Sequence, residues 1–307
     1  MPASHPDPAD WKAPQPATAV TFEMPENACD CHTHIHGDIG DFPYFAGRVY
    51  TPMSAYPEEM AALHQKLGIT RVVIVTPSVY GADNRASIWG MKARGETARG
   101  VAVIDERTTD DDIAAMHKDG MRGVRLNLAT SGVADPAVGR ARFEAMAARM
   151  AGFGWHVQIY TSLDMVVALK DLILKSPVPV VLDHFAGAQA ALGVDQAGFK
   201  DLLDLLESGR AWVKISGAYR SSASRPDFPD TAPLARAMIA ANADRIVWGT
   251  DWPHPDSHAK AGVTAFDLRA FQDIDDGMLL NQLPIWAPDA ATRRKILTDN
   301  PAKLYGF

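Results

Sequence analysis

"CDCHTHIHGD", residues 29 to 38, sets His32, His34 and His36 at alternating positions directly behind a short apolar run. In extended backbone alternate side chains share a face, so His32 and His34 stand together if this run is a strand. Comparable β-branched runs recur along the chain. With "NACDCH" (27–32) as the first, they are "RVVIVTP" (71–77), "GVAVID" (100–105), "GVRLNL" (123–128), "WHVQIYT" (155–161), "VPVVLDH" (178–184), "AWVKIS" (211–216) and "RIVWGTD" (245–251). Segments with helical spacing of apolar residues fall between them, at 58–68, 84–98, 110–120, 141–152, 163–174, 197–208 and 232–243. Gly68, Gly120 and Gly152 stand where C-caps are expected. Eight strands alternate with seven helical segments, and neither GxGxxG nor GxxxxGK[ST] occurs. This predicts an α/β fold of the (β/α)8 TIM-barrel type rather than a doubly wound nucleotide-binding sheet.

Length and composition agree with one large domain. The 307 residues are 47% hydrophobic and 22% charged, enough apolar material for a sizeable core. Residues 1–26, with prolines at 2, 6, 8, 14 and 16, read as an extended arm, and residues 27–307 as a single barrel whose last stretch, 262–307, supplies closing helices. The formal net charge of -7 argues against nucleic acid or an anionic membrane as partner. No signal peptide and no apolar run of about 20 residues is present, so a cytoplasmic protein is expected. Cys29 and Cys31 are the two cysteines, spaced too closely for a disulfide. Nothing in the sequence decides between a monomer and a homo-oligomer.

In a barrel of this kind chemistry collects at the C-terminal strand ends. Those ends carry His32 and His34; Ser78, with Tyr80 beyond; Arg125 and Asn127; Tyr160; Asp183 and His184; Lys214, Ser216 and then Arg220; and Asp251 and His254. Asp183 and His184 are adjacent and so point oppositely on a strand; His184 is expected to face the mouth and Asp183 the outer framework. Asp251 follows a buried run and reads as a base or ligand rather than a loop cap. Arg125 and Arg220 suit a substrate carboxylate through the guanidinium fork. His36, His64, His117 and His156 are read as structural, and His5 and His258 as surface residues.

The combination D-x-H-x-H on strand one, DH on strand six and GTDWPHP on strand eight resembles the amidohydrolase superfamily, and within it the 2-pyrone-4,6-dicarboxylate lactonase-like branch. "FPY", "VYTP", "GADN", "GMRGVR" and the terminal "NPAKLYGF" extend the resemblance from about residue 28 to the end. It implies that Asp251 activates water, that His32, His34 and His184 surround the lactone carbonyl, and that Tyr160 joins the catalytic group. It further implies that Tyr50, Ser78, Arg125 and Arg220 hold substrate carboxylates; Asn127 and His254 are added to that binding set. The lactonase has a second arginine where this chain has Ser131, and a histidine where it has Tyr80. The substrate expected is therefore a lactone with fewer acidic groups, since a buried unpaired carboxylate costs several kcal/mol.

The expectation is a lactone hydrolase acting on a small carboxylate-bearing molecule without a cofactor. Two alternatives stand beside it. One is a metal-dependent hydrolase or decarboxylase, with a single Zn2+ or Mn2+ held by His32, His34, His184 and Asp251. The other is a non-catalytic binder of sugar acids or aromatic acids.

Overall fold

The computed structural model describes residues 12–257 and 262–307. Every predicted run forms a strand: β1 (Cys29–Thr33), β2 (Arg71–Val75), β3 (Ala98–Ala102), β4 (Met121–Asn127), β5 (His156–Tyr160), β6 (Val180–Leu182), β7 (Ala211–Ser216) and β8 (Ile246–Gly249). They pair in parallel in chain order, β1 through β8. Helices α1 (Pro57–Leu67), α2 (Arg85–Arg94), α3 (Asp110–Lys118), α4 (Pro136–Met150), α5 (Leu163–Lys175), α6 (Phe199–Glu207) and α7 (Ala232–Asn242) lie between them. The strands are buried on both faces, which explains why their sequences read as nearly unbroken apolar runs.

The ring closes through the segment after β8. Asp251 N donates to His32 O at 2.8 Å, and His34 N donates to Trp252 O at 2.8 Å. Asp30 reinforces the seam: Oδ1 accepts from Thr250 N at 3.0 Å, and Oδ2 accepts from Thr250 Oγ1 at 2.6 Å and meets His64 Nε2 at 3.2 Å. Gly249 permits the close approach, because a Cβ there would lie 2.7 Å from His32 N and 2.9 Å from His32 Cβ. Gly249→Ala must push β8 off β1, and is expected to destabilise the barrel by about 1–3 kcal/mol in urea unfolding.

The register of β1 against β2 shifts between Asp30 and Thr33. Cys29 and Cys31 pack inside the barrel with Val73, Val75, Val101, Val181 and Val247, and the shift turns His32 inward as well. Strict alternation alone would have placed Cys31 and His32 on opposite faces.

Helix boundaries follow capping chemistry. α4 begins five residues before the predicted 141, because Asp135 caps it by accepting from Ala137 N at 2.8 Å and Pro136 opens it. Gly68 (φ 72) and Gly120 (φ 104) adopt the left-handed backbone expected at helix ends, whereas the turn after α4 uses Gly154 (φ 66) instead of Gly152. Short strands Thr51–Pro52 and Leu268–Arg269 pair in parallel in a small second sheet that the sequence reading did not foresee.

Residues 12–26 contain no helix or strand and lie against the domain. Ala13 N donates to Glu59 Oε1 (3.0 Å), Trp252 Nε1 to Pro14 O (2.8 Å) and Thr18 Oγ1 to Asp275 Oδ2 (2.7 Å). His5, His258 and the prolines at 2, 6 and 8 lie outside the described residues. Among the described residues no helix is long and apolar enough to cross a membrane.

Candidate active site

Asp251 occupies the centre of the barrel mouth, fully buried and held at φ 66. Its Oδ1 lies 3.3 Å from His34 Nε2, 3.6 Å from His32 Nε2 and 3.9 Å from His184 Nε2. Its Oδ2 accepts from Arg220 Nε at 2.5 Å and from Tyr219 Oη at 2.6 Å. Burial alone would raise this carboxyl, but the Arg220 guanidinium outweighs it and holds Asp251 well below the usual carboxylate range. The group is therefore ionised.

The imidazole partners decide what faces Asp251. His34 Nδ1 lies 2.7 Å from Val75 O, a pure acceptor, so Nδ1 carries a proton and donates it there. His32 Nδ1 lies 3.3 Å from Asp183 Oδ1, which retains its proton there in the same way. Lys214 Nζ is also 3.4 Å from that nitrogen, but its shorter bonds go to Gln158 Oε1 (2.7 Å) and Cys31 O (2.9 Å). His184 Nδ1 meets Ser216 Oγ at 3.0 Å. Burial lowers His32 well below its ordinary range and brings His184 down to about 3, so both rings are neutral. His32 Nε2, His184 Nε2 and Asp251 Oδ1 are buried and have no hydrogen-bond partner among the described residues. The His32 Nε2 lone pair facing the ionised Asp251 Oδ1 without a donor is costly to bury, and such a pairing suits a cation. His32, His34 and Asp251 form one group of suitable donors, and His32, Asp183 and His184 another. Nitrogen and oxygen ligands of this kind fit one Zn2+ or Mn2+.

Asp183 requires a correction. It does not face the outer framework; it lies inside the barrel, fully buried, with Oδ2 accepting from Arg125 Nε (2.9 Å) and Gln158 Nε2 (3.0 Å) and Oδ1 3.6 Å from Lys214 Nζ. Strand parity does send the two neighbours opposite ways, but left-handed backbone at His184, Phe185 and Ala186 (φ 49, 54 and 55) folds the chain back and returns His184 to the mouth. Both residues thus reach the centre. Gly217 (φ 54) makes room for them, since a Cβ there would lie 3.0 Å from His184 Nδ1 and 3.1 Å from Asp251 Oδ2.

The other predicted residues surround this centre. Tyr160 packs edge-on against His184 at 5.2 Å between ring centroids, with the Arg125 and Arg220 guanidinium carbons 5.2 and 5.7 Å from its ring. Each arginine thus spends its Nε on a buried carboxylate, leaving both Arg125 Nη groups and Arg220 Nη2 without a partner among the described residues. Tyr50 is buried with its hydroxyl at Ser78, and burial pushes its pKa up to about 12. Asn127 ends β4 with Oδ1 buried and unpaired. His254 is fully buried, bonded through Nε2 to Asp276 (3.0 Å) and packed edge-on against Tyr219 (5.4 Å). His64 and His117 have the partners of structural histidines, Asp30 and Trp155 Nε1. His36 is buried with both ring nitrogens unpaired among the described residues, and His156 is buried against Tyr305.

Sequence reasoning missed Gln158, Tyr219 and Asp276. Gln158 had a readable signal, a polar residue at an inward position of an apolar strand. The others sit in turns or a short helix and had none.

A model of the amidohydrolase family matches residues 29–307. The chain belongs to that family. This amidohydrolase is 36% identical over 290 residues to a 4-sulfomuconolactone hydrolase of Rhizobium radiobacter, covering 94% of this chain and 92% of the relative. It is 34% identical over 305 residues to a 2-pyrone-4,6-dicarboxylate hydrolase of Comamonas testosteroni, covering 96% and 95%. Among solved structures, an apo protein of Agrobacterium tumefaciens superposes with a TM-score of 0.79 at 27% identity, covering 94% of this chain and 99% of that one.

Proposed function

We propose that this amidohydrolase opens a small lactone that bears an acidic group, by adding water to the ring carbonyl. The observation that carries the reading is the convergence of one ionised carboxylate and the histidine Nε2 atoms beside two guanidiniums with unpaired Nη groups. The relatives named above as hydrolases of a muconolactone and of a pyrone support it.

Asp251 takes the role of base. Oδ2 is held by Arg220 and Tyr219, so Oδ1 is the oxygen left to accept a proton from water. The resulting oxygen nucleophile attacks the acyl carbon, the ring C–O bond breaks, and Asp251 returns the proton to the departing alkoxide. Arg125 and Arg220 orient the substrate through their remaining N–H groups, and Tyr50, Ser78, Tyr160 and Asn127 border the space it occupies; His254 positions Tyr219 from behind. His32, whose proton Asp183 retains on Nδ1, offers a lone pair at the centre, so it is a poor carbonyl donor by itself. A divalent cation held by His32, His34 and His184, with Asp251 Oδ1 left to the water, would supply Lewis-acid polarisation of the carbonyl.

The test is proton release from a panel of five- and six-membered lactones with and without an acidic substituent, using protein as purified, after chelation, and after reloading with Zn2+ or Mn2+. Ring opening that is lost on chelation and restored by the cation is the expected result. Full activity in protein shown by elemental analysis to be metal-free removes the cation from the reading, and no ring opening by any preparation removes the hydrolase.

A further inference from the structure

The arm at residues 13–18 is fastened to the turn that carries Asp251, and by two separate routes. The first runs through the neighbour of the base. Trp252 is fully buried, its Nε1 donates to Pro14 O at 2.8 Å, and its carbonyl accepts from His34 N at 2.8 Å. The second runs through the short helix α8 (Asp276–Asn281). Thr18 donates from N (3.0 Å) and Oγ1 (2.7 Å) to Asp275 Oδ2, while Asp275 Oδ1 accepts from Gly277 N at 2.9 Å and so caps that helix. Asp276, its first residue, bonds His254 Nε2 at 3.0 Å; His254 packs edge-on against Tyr219, whose hydroxyl donates to Asp251 Oδ2 at 2.6 Å. The arm is itself moored to α1, with Ala13 N on Glu59 Oε1 (3.0 Å) and Gln15 Nε2 on Glu59 O (2.9 Å). It fits α8 so closely that a Cβ at Gly277 would overlap the backbone oxygen of Thr18.

The turn needs such fastening. Asp251 and His254 hold left-handed backbone, at φ 66 and 65, and neither is a glycine. Backbone of that kind is costly and persists only where its surroundings over-determine it. Strand β1 supplies one side of the constraint, through His32 O and Asp30 Oδ1, and the arm supplies the other. We propose that residues 13–18 act as a strap that aims the catalytic base, with Pro14 and Thr18 as positioning residues working through Trp252 and through Asp275 and Asp276. The inference rests on the reading of Asp251 as that base. Slackening the strap lets the turn relax and carries Asp251 Oδ1 away from the water, while the arginines that orient substrate stay in place. The loss therefore falls on kcat and not on KM.

The experiment compares full-length wild type with Gly277→Ala, Thr18→Val and Thr18→Ser. Alanine is a better helix residue than glycine, so in α8 its chief effect is to displace the Thr18 oxygen. Thr18→Val removes only the hydroxyl, and Thr18→Ser restores it. One readout is hydrogen exchange by mass spectrometry over residues 250–256, where the amides of Thr250, Asp251, Trp252 and His254 are all hydrogen-bonded, with β4 as internal reference. The other is kcat and KM on a lactone that the wild type opens. In G277A exchange over 250–256 should quicken about tenfold with β4 unchanged, and kcat should fall about tenfold or more with KM held within about twofold, the scale set by a small misplacement of a reacting group. T18V should move both readouts the same way by less, and T18S should bring both back toward wild type. If G277A does not fold, the comparison of T18V with T18S decides by the same readouts. An unchanged kcat in the folded variants overturns the proposal, as does a loss of kcat in which β4 exchanges faster in step with the turn, the mark of general destabilisation. Faster exchange confined to the turn, in a protein whose wild type opens no lactone, upholds the strap and sinks the hydrolase reading instead.

Discussion

Asp251→Asn lowers kcat by roughly 10²- to 10⁴-fold, the range that a positioned general base contributes. The amide keeps the shape of the carboxylate and can still accept from Tyr219 and Arg220, so the fold and product binding should largely persist while the basic oxygen is gone. Steady-state kinetics on any lactone the wild type opens, with product affinity measured separately, checks both halves. A variant that retains full turnover would show that another group takes the proton from water.

Asp183→Ala is expected to have the largest effect on stability, about 3–5 kcal/mol, because it leaves buried charges without their counter-ion. Asp183 is ionised: burial pushes its carboxyl up, but the proton donated by His32 Nδ1 and the charges of Arg125 and Lys214 outweigh that and hold it well below the ordinary range. Lys214, wholly buried and lowered by its burial, meets Asp183 Oδ1 at 3.6 Å, while Arg125 bonds Oδ2. Removing the carboxylate strands both cations inside the barrel and frees His32 Nδ1 from the group that retains its proton. Urea unfolding of the variant against wild type measures the effect; a change under 1 kcal/mol would mean that water or a rearranged Gln158 replaces the carboxylate readily.

The strands were legible because a parallel barrel buries both faces of each, and such strands announce themselves as apolar runs at regular intervals. The placement of polar residues at their C-terminal ends was legible for the same reason, since each interrupts a hydrophobic run. What the sequence concealed was backbone handedness. Left-handed φ at His184, Phe185, Ala186, Asp251 and His254 re-aims side chains in ways that strand parity cannot anticipate, and none of these residues is a glycine. Asp183 was misplaced for that reason. The register shift in β1 is a second case, bringing His32 inward beside Cys31.

The roles of the arginines were hidden differently. Arg125 and Arg220 stand where the strand ends predicted, yet each is half committed, to Asp183 and to Asp251. Arg220 thus does two things in one geometry, lowering the basicity of Asp251 while presenting Nη2 to the mouth. A substrate acid that draws Arg220 away would raise the basicity of Asp251 at the moment of binding, coupling recognition to activation.

The destination of the water oxygen distinguishes acyl attack from every other route. Turnover in heavy-oxygen water, with the product read by mass spectrometry and fragmentation, should place one heavy oxygen in the newly formed carboxylate and none in the newly formed hydroxyl, with no carbon dioxide released. Label in the hydroxyl, or loss of carbon dioxide with the ring intact, would contradict attack by Asp251-activated water on the lactone carbonyl.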